Sequence, residues 1–288
     1  MTAILKAAKG NEAMSDHSFT LALCQIMTRE EKQDTMDRAE AMVRAAAENG
    51  AGVVALPEMF ACPYVRGAFL PFSEPADGES VRRMAYWARE YGVVLIGGTI
   101  PEMDGDRLYN TCFVFDKSGN IIAKHRKAHM FDIDIPGGIT FKESDSFAPG
   151  DDICVFDTEY GRMGVCICFD MRFPELIRAM ARRGAELIVA PAQFNMTTGP
   201  AHWELTVRAR AIDNELWFAA ASAARNSDAK YRCWGHSTVA GPYGDVKAAC
   251  SETEQILYCP VDLNEVDKIR RELPTFLRLR EDLYRVAD

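Results

Sequence analysis

The 288-residue sequence has no apolar run long enough to cross a membrane. Its longest uncharged stretch, residues 187–203, holds two prolines, an asparagine and a histidine. That is a loop composition, unlike a spanning helix of roughly 20 apolar residues. The first 18 residues lack the apolar centre of a secretory signal, and Glu12 and Asp16 interrupt any presequence. Residues 1–18 therefore read as a mobile extension, and the expected compartment is the cytoplasm. Basic charge is also short. Lys and Arg number 33 against 42 Asp and Glu, a net charge of −9, which argues against a nucleic-acid partner. An anionic small molecule stays possible, because a pocket can be basic on an acidic protein. Paired Cys-x-x-Cys spacing is missing, which argues against structural zinc. His202-Trp-Glu204 has the His-x-Glu spacing of zinc deaminases without the Pro-Cys-x-x-Cys that completes their site. Gly97-Gly98 alone is no dinucleotide fingerprint. Neither internal repeats nor a Pro-, Gly- or Ser-rich linker divides the chain, so residues 19–288 read as one domain.

What the sequence does have is a large apolar fraction, 48% hydrophobic residues, enough for a sizeable core. Nine cysteines, an odd number mostly inside apolar runs, read as reduced thiols. Short apolar runs alternate with helical periodicity. Residues 19–26, 53–56, 93–96, 187–190, 216–221 and 255–261 read as strands. Residues 31–49 carry Met36, Ala39, Met42, Val43 and Ala46 on one helical face, and 78–91 carry Val81, Met84, Ala85 and Ala88. Helices are also expected over 174–183, 201–214 and 262–271. Hairpins are expected over 108–123 and 237–249, and a strand pair over 153–157 and 163–169. Strands alternating with helices, with hairpins interspersed, predict an α/β layer architecture with mixed sheets.

Three polar residues stand at the ends of apolar strands: Glu58 after Val53-Val-Ala-Leu-Pro57, Lys127 after the hairpin strand, and Cys168 after Gly164-Val-Cys-Ile. Loops at strand ends hold reactive groups on a rigid scaffold. An acid, an amine and a thiol form a workable amide-cleaving set. A free thiol ionises near pH 8.5, so it needs a base to attack at neutral pH. Glu58 could take its proton, and Lys127 with the backbone N–H of Phe169 could hold the oxyanion. Each residue also has an ordinary reading: Glu58 as a solvated loop acid, Lys127 as part of a wet basic patch with Lys124, His125, Arg126 and His129. Cys166 and Cys168 are both candidates. Two apart, they face the same side of a strand, and Cys168 lies nearer its end.

Three blocks sharpen this. Leu56-Pro-Glu58-Met, Lys124-His-Arg-Lys127-Ala-His129 and Gly164-Val-Cys-Ile-Cys168-Phe-Asp-Met-Arg-Phe-Pro-Glu175 resemble the signature blocks of the nitrilase superfamily, in family order. The resemblance covers most of the chain, from about Phe19 to about Tyr284. It implies a four-layer α-β-β-α sandwich that forms homodimers. It also implies Glu58 as base, Lys127 as oxyanion stabiliser, Cys168 as nucleophile, and neither metal nor organic cofactor. Glu143, in Thr140-Phe-Lys-Glu143-Ser, matches a second family glutamate that supports the lysine.

Met130-Phe-Asp-Ile-Asp-Ile-Pro136 and Phe194-Asn-Met-Thr-Thr-Gly-Pro-Ala-His-Trp-Glu204 look like the omega-amidase branch, as do Cys62-Pro-Tyr64, Ile212-Asp-Asn214 and Trp234-Gly-His-Ser237. Phe169 departs from the tyrosine common there. That branch implies small 2-oxo dicarboxylic acid amides as substrates, such as 2-oxoglutaramate and 2-oxosuccinamate. Arg172 is the expected carboxylate fork, with Tyr64 and Thr198 adding hydrogen bonds; Arg172 pairing instead with Glu175 or Asp170 is the alternative. His202 invites a Cys–His dyad, but in this block the family implies a mainly structural residue. Deaminated-glutathione amidase or another C–N hydrolase is the competing enzyme reading, and a non-catalytic scaffold on the same fold is the competing class.

Overall fold

The computed structural model describes residues 17–136, 140–280 and 282–284. Most of the extension expected over residues 1–18 lies outside them, and Ser18 already belongs to the first strand. In chain order the elements are β1 (Ser18–Gln25), α1 (Lys32–Glu48), β2 (Ala51–Ala55), α2 (Arg66–Phe69), α3 (Glu79–Tyr91), β3 (Val94–Ile96), β4 (Ile100–Asp104), β5 (Arg107–Phe115), β6 (Ile121–Arg126), β7 (Asp132–Asp134), β8 (Thr140–Lys142), β9 (Val155–Thr158), β10 (Gly161–Val165), α4 (Pro174–Arg182), β11 (Leu187–Ala192), α5 (Gly199–Asn214), β12 (Trp217–Ser222), β13 (Thr238–Ala240), β14 (Val246–Ala249), β15 (Gln255–Asp262) and α6 (Asn264–Glu272).

Two mixed sheets carry the fold. One runs β15-β1-β2-β3-β5-β4 with β6 paired to β5; the other runs β14-β13-β12-β11-β10-β9. The side-chain period of two decides which layer each residue enters. In β1, Phe19, Leu21 and Leu23 point into the core between the sheets. Ala22 and Cys24 point the other way, against α1 and α3. In β2, Val53 and Ala55 join the inner core, and Val54, with Leu56 just beyond the strand, joins the outer one. A strand covered on both faces needs an unbroken apolar run, which Val53-Val-Ala-Leu56 supplies. On the far side, α4 and α5 lay Ile177, Met180, Trp203, Val207 and Ala211 on the second sheet. The layer order is therefore α-β-β-α, as the family resemblance implies.

The helix faces follow the periodicity: Met36, Ala39, Met42, Val43 and Ala46 are buried on α1, and Val81, Met84 and Ala88 on α3. Trp87 also fills that face, while Ala85 is half-buried. One strand is shorter than expected. The run read over 163–169 stops at Val165, and residues 168–172 form a 3-10 turn. The small β7–β8 pair escaped the periodicity because each strand spans only three residues. Among the described residues no helix is long and apolar enough to cross a membrane.

Candidate active site

The loops following β2, β6 and β10 meet at one end of the sandwich. Glu58 stands just beyond β2, in a bend that Gly98 makes possible. Gly98 has φ +60°, and a Cβ there would lie 2.3 Å from the Pro57 carbonyl oxygen. With that close approach, Thr99 N–H donates to Pro57 O at 3.2 Å, and the Thr99 hydroxyl accepts from Met59 N–H at 2.8 Å. Met59 itself has φ +47°, so the backbone beside Glu58 is held in a conformation costing on the order of 1–3 kcal/mol.

Lys127 follows β6, and its N–H donates to Asn110 O on β5 at 2.9 Å. Its side chain is 0% exposed, as are those of Glu58 and Glu143. Nζ lies 2.9 Å from Glu58 Oε1 and 2.7 Å from Glu143 Oε2. One ammonium thus faces two buried carboxylates, and neutral donors take up the excess negative charge. Asn110 Nδ2 donates to Glu58 Oε1 at 2.8 Å and to Glu143 Oε1 at 3.2 Å. The Tyr64 hydroxyl donates to Glu143 Oε1 at 3.1 Å, and Phe131 N–H to Glu143 Oε2 at 2.7 Å. Burial opposes the Lys127 charge, but Glu143 and Glu58 outweigh it and push the pKa above the usual lysine value. Burial pushes Glu58 up as well, against the pull of Lys127.

Cys168 opens the 3-10 turn with φ +45°. That kink corrects the strand reading: Cys166 and Cys168 do not share one strand face. Cys166 lies 0% exposed in the core, whereas the thiol of Cys168 interacts with the Glu58 carboxylate. Glu58 Oε2 is buried and has no hydrogen-bond partner in good geometry among the described residues. Burial, and then the charge of Glu58, push the Cys168 thiol well above its ordinary value. At rest it is a thiol beside a base. Cys168 is 4% exposed as a residue, so it is almost completely buried. Phe169 is second in the turn, where first-turn N–H groups have no partner within the helix.

Two residues to which sequence reasoning gave no such role hold these loops together. Asp170, fully buried, accepts from Ile167 N–H at 3.0 Å and His129 N–H at 2.9 Å. It also contacts His125 Nε2 at 3.1 Å and His129 Nδ1 at 2.8 Å. Burial disfavours its charge, but the histidine contacts hold the carboxyl well below the usual range. One carboxylate therefore ties the segment after Lys127 to the segment before Cys168. Gln193, just past β11, donates from Nε2 to Glu58 O at 2.5 Å. Asn110 is the other addition. An asparagine inside an apolar strand was the signal available for it; Gln193 and Asp170 gave none, because their partners are far apart in sequence.

The proposed substrate ligands fare unevenly. Arg172 pairs with neither Glu175 nor Asp170. Its Nη1 lies 3.2 Å from His202 Nδ1, and its guanidinium stacks 4.5 Å from the Phe194 ring centroid. Burial lowers its pKa, with the Cys168 sulfur among its electrostatic neighbours, so it stands near the thiol without a carboxylate partner among the described residues. The Tyr64 hydroxyl is committed to Glu143. Thr198 donates to Asn195 Oδ1 at 3.2 Å at the start of α5. His202 meets Arg172, not the thiol. A cavity of about 430 Å³ lies alongside, lined in part by Tyr64, Gln193 and Tyr231.

A carbon-nitrogen hydrolase family model matches residues 20–271. The chain belongs to the carbon-nitrogen hydrolase family. Human omega-amidase NIT2 is 49% identical over 269 residues, covering 93% of this chain and 98% of the human protein. The Xenopus laevis omega-amidase NIT2-A is 47% identical over 270 residues, covering 94% and 98%. The crystal structure of Saccharomyces cerevisiae Nit3, a member of branch 10 of the nitrilase superfamily, aligns with TM-score 0.85 at 36% identity, covering 94% of this chain and 99% of Nit3. The C. elegans NitFhit structure aligns with TM-score 0.86 at 32% identity, covering 95% of this chain and 68% of NitFhit. As a carbon-nitrogen hydrolase, the protein cleaves amide bonds.

Proposed function

We propose that this hydrolase is an omega-amidase, releasing ammonia from small 2-oxo dicarboxylic acid amides such as 2-oxoglutaramate and 2-oxosuccinamate. The observation that carries the reading is the convergence of Glu58, Lys127 and Cys168 from three distant segments. Near-half identity to omega-amidases of vertebrates supports the substrate class.

In this reading Glu58 takes the Cys168 proton as sulfur bonds to the amide carbon, and the carbonyl π electrons move to oxygen. Lys127 and the Phe169 N–H hold that oxyanion; one such donor contributes roughly 3–4 kcal/mol to the transition state. The intermediate collapses, the C–N bond breaks, and Glu58 returns its proton to the departing nitrogen as ammonia. Water then attacks the thioester, giving its proton to Glu58. The C–S bond breaks, the acid leaves, and the proton returns to sulfur. Because burial raises both Glu58 and Cys168, proton transfer and attack run together rather than through a standing thiolate. Glu143 keeps Lys127 charged and aimed. Arg172 takes the far carboxylate of the substrate: burial makes its unpaired charge costly, and an anion relieves that cost.

Residues 19–288 act as one unit in this reading, and a cytoplasmic homodimer is its working form. Exposed Leu205 and Ile212 on α5, with Leu273 beyond α6, support a second copy as the partner; sedimentation at micromolar concentration tests it. The deciding assay compares ammonia release from 2-oxoglutaramate and from deaminated glutathione. Preference for the former, lost in Cys168→Ala, supports the proposal. Preference for the larger amide replaces it with deaminated-glutathione amidase, and no turnover of any amide leaves a non-catalytic scaffold.

A further inference from the structure

The cavity beside the site has a wall that the mechanism above does not use. Tyr231 comes from the segment between β12 and β13. Its hydroxyl donates to the main-chain carbonyl of Gln193 at 2.7 Å. The same carbonyl oxygen stands 3.8 Å from Cys168 Sγ, as the acceptor for the thiol. The Gln193 side chain, meanwhile, grips the main chain of Glu58. Residue 193 therefore touches both the thiol and the peptide that carries the carboxylate. The Tyr231 ring packs 4.8 Å from the Tyr64 ring, at 38°. Both rings line the cavity, together with Ala223, Asn226 and Lys230.

We infer that Tyr231 is a positioning residue for Cys168, acting through the Gln193 carbonyl, and that with Tyr64 it forms the partition between the sulfur and the cavity. This rests on Cys168 being the nucleophile. A carbonyl oxygen has two lone pairs. Tyr231 takes one with a short, strong hydrogen bond, leaving the thiol a long and weak one. Two donors on one oxygen compete, so the hydroxyl loosens the carbonyl's hold on the S–H and leaves the proton free to turn to Glu58 Oε2. Without the hydroxyl, the carbonyl holds the S–H more firmly and presents more negative charge to the sulfur as it becomes nucleophilic. The peptide of residue 193 also loses an anchor, and the spacing between Cys168 and Glu58 loosens with it.

Tyr231→Phe tests this, because it keeps the ring and removes only the hydroxyl. The expected result is a kcat lower by ~10-fold, the size of one lost hydrogen bond, with KM for 2-oxoglutaramate unchanged and thermal unfolding lowered by only a few degrees. A second readout follows the sulfur directly: the pH profile of Cys168 alkylation by iodoacetamide, read by peptide mass spectrometry. The groups facing the sulfur are Glu58, Lys127, Arg172, Tyr64, Tyr231 and Cys166. Only the Tyr231 hydroxyl changes, so the profile is expected to move to higher pH. Tyr231→Leu removes the wall too, and is expected to speed Cys168 modification by a bulky maleimide. Unchanged kcat and an unmoved alkylation profile in Tyr231→Phe would overturn the inference while leaving the mechanism standing. Turnover surviving in Cys168→Ala would instead overturn the mechanism on which it rests.

Discussion

His125 makes the stability of this protein depend on pH near neutrality. It sits on β6, 1% exposed, with Nε2 3.1 Å from Asp170 Oδ2 and Nδ1 3.5 Å from Asp152 Oδ1. Burial alone would lower its pKa, but Asp152 and Asp170 overcome that and raise it to about 9. A histidine in the unfolded chain titrates near 6.5. A group whose folded pKa is raised contributes its stability fully below the unfolded value and loses it as the pH climbs through the folded value. The window therefore runs from about 6.5 to about 9. Linkage over that interval gives a loss of about 2 kcal/mol between about pH 6 and about pH 8.5.

Urea unfolding at those two pH values, followed by tryptophan fluorescence, reads the difference. His125→Gln keeps a polar side chain but cannot titrate. It is expected to be less stable at about pH 6 and to lose about 2 kcal/mol less than the wild-type protein over the same interval, keeping only the part that does not come from this histidine. Buried thiols add their own alkaline loss, and the variant subtracts it because all nine cysteines remain. Equal losses in the wild-type protein and in His125→Gln would refute the assignment of the effect to this histidine.

Lys127→Met removes the charge between two buried carboxylates, so Glu58 and Glu143 repel each other. The expected costs are about 3–5 kcal/mol of stability in urea titrations and roughly 10²–10³-fold in kcat. Since burial raises Glu58, and the base must be ionised to act, the acid limb of kcat/KM should lie above the ordinary glutamate value of about 4.3. Steady-state ammonia release across pH measures it. Arg172→Lys keeps the charge but loses the planar fork; it is expected to raise KM for 2-oxoglutaramate by about tenfold, one bidentate contact's worth, with kcat nearly unchanged, and an unaltered KM would remove Arg172 from substrate recognition.

The layers were legible in the sequence because period-two strands and period-3.6 helices leave their mark on apolar spacing. Met36, Ala39, Met42, Val43 and Ala46 are an example. The motif blocks also pointed to Glu58, Lys127 and Cys168, which the fold brings together. Less legible was how they meet. The left-handed turn at Cys168 breaks a run that looks like continuous strand, and nothing in Cys-Ile-Cys signals a positive φ. Lys127, set in a run of basic residues, looks like a wet surface lysine; only the fold shows the two carboxylates that bury it. Asp170 seemed available to Arg172, yet it serves the backbone around two loops. Tyr231 and Gln193 could not be singled out, because a main-chain carbonyl has no signature in sequence.

The backbone at Cys168 also restricts which nucleophiles the site can use. At φ +45°, a side chain forked at Cβ crowds its own main chain, so threonine is shut out by geometry before its chemistry matters. Serine fits the space, but a hydroxyl is a far more reluctant proton donor than a thiol, and Glu58 is the base beside it among the described residues. Replacing sulfur with oxygen would therefore require rebuilding the base as well, so the geometry ties this site to cysteine.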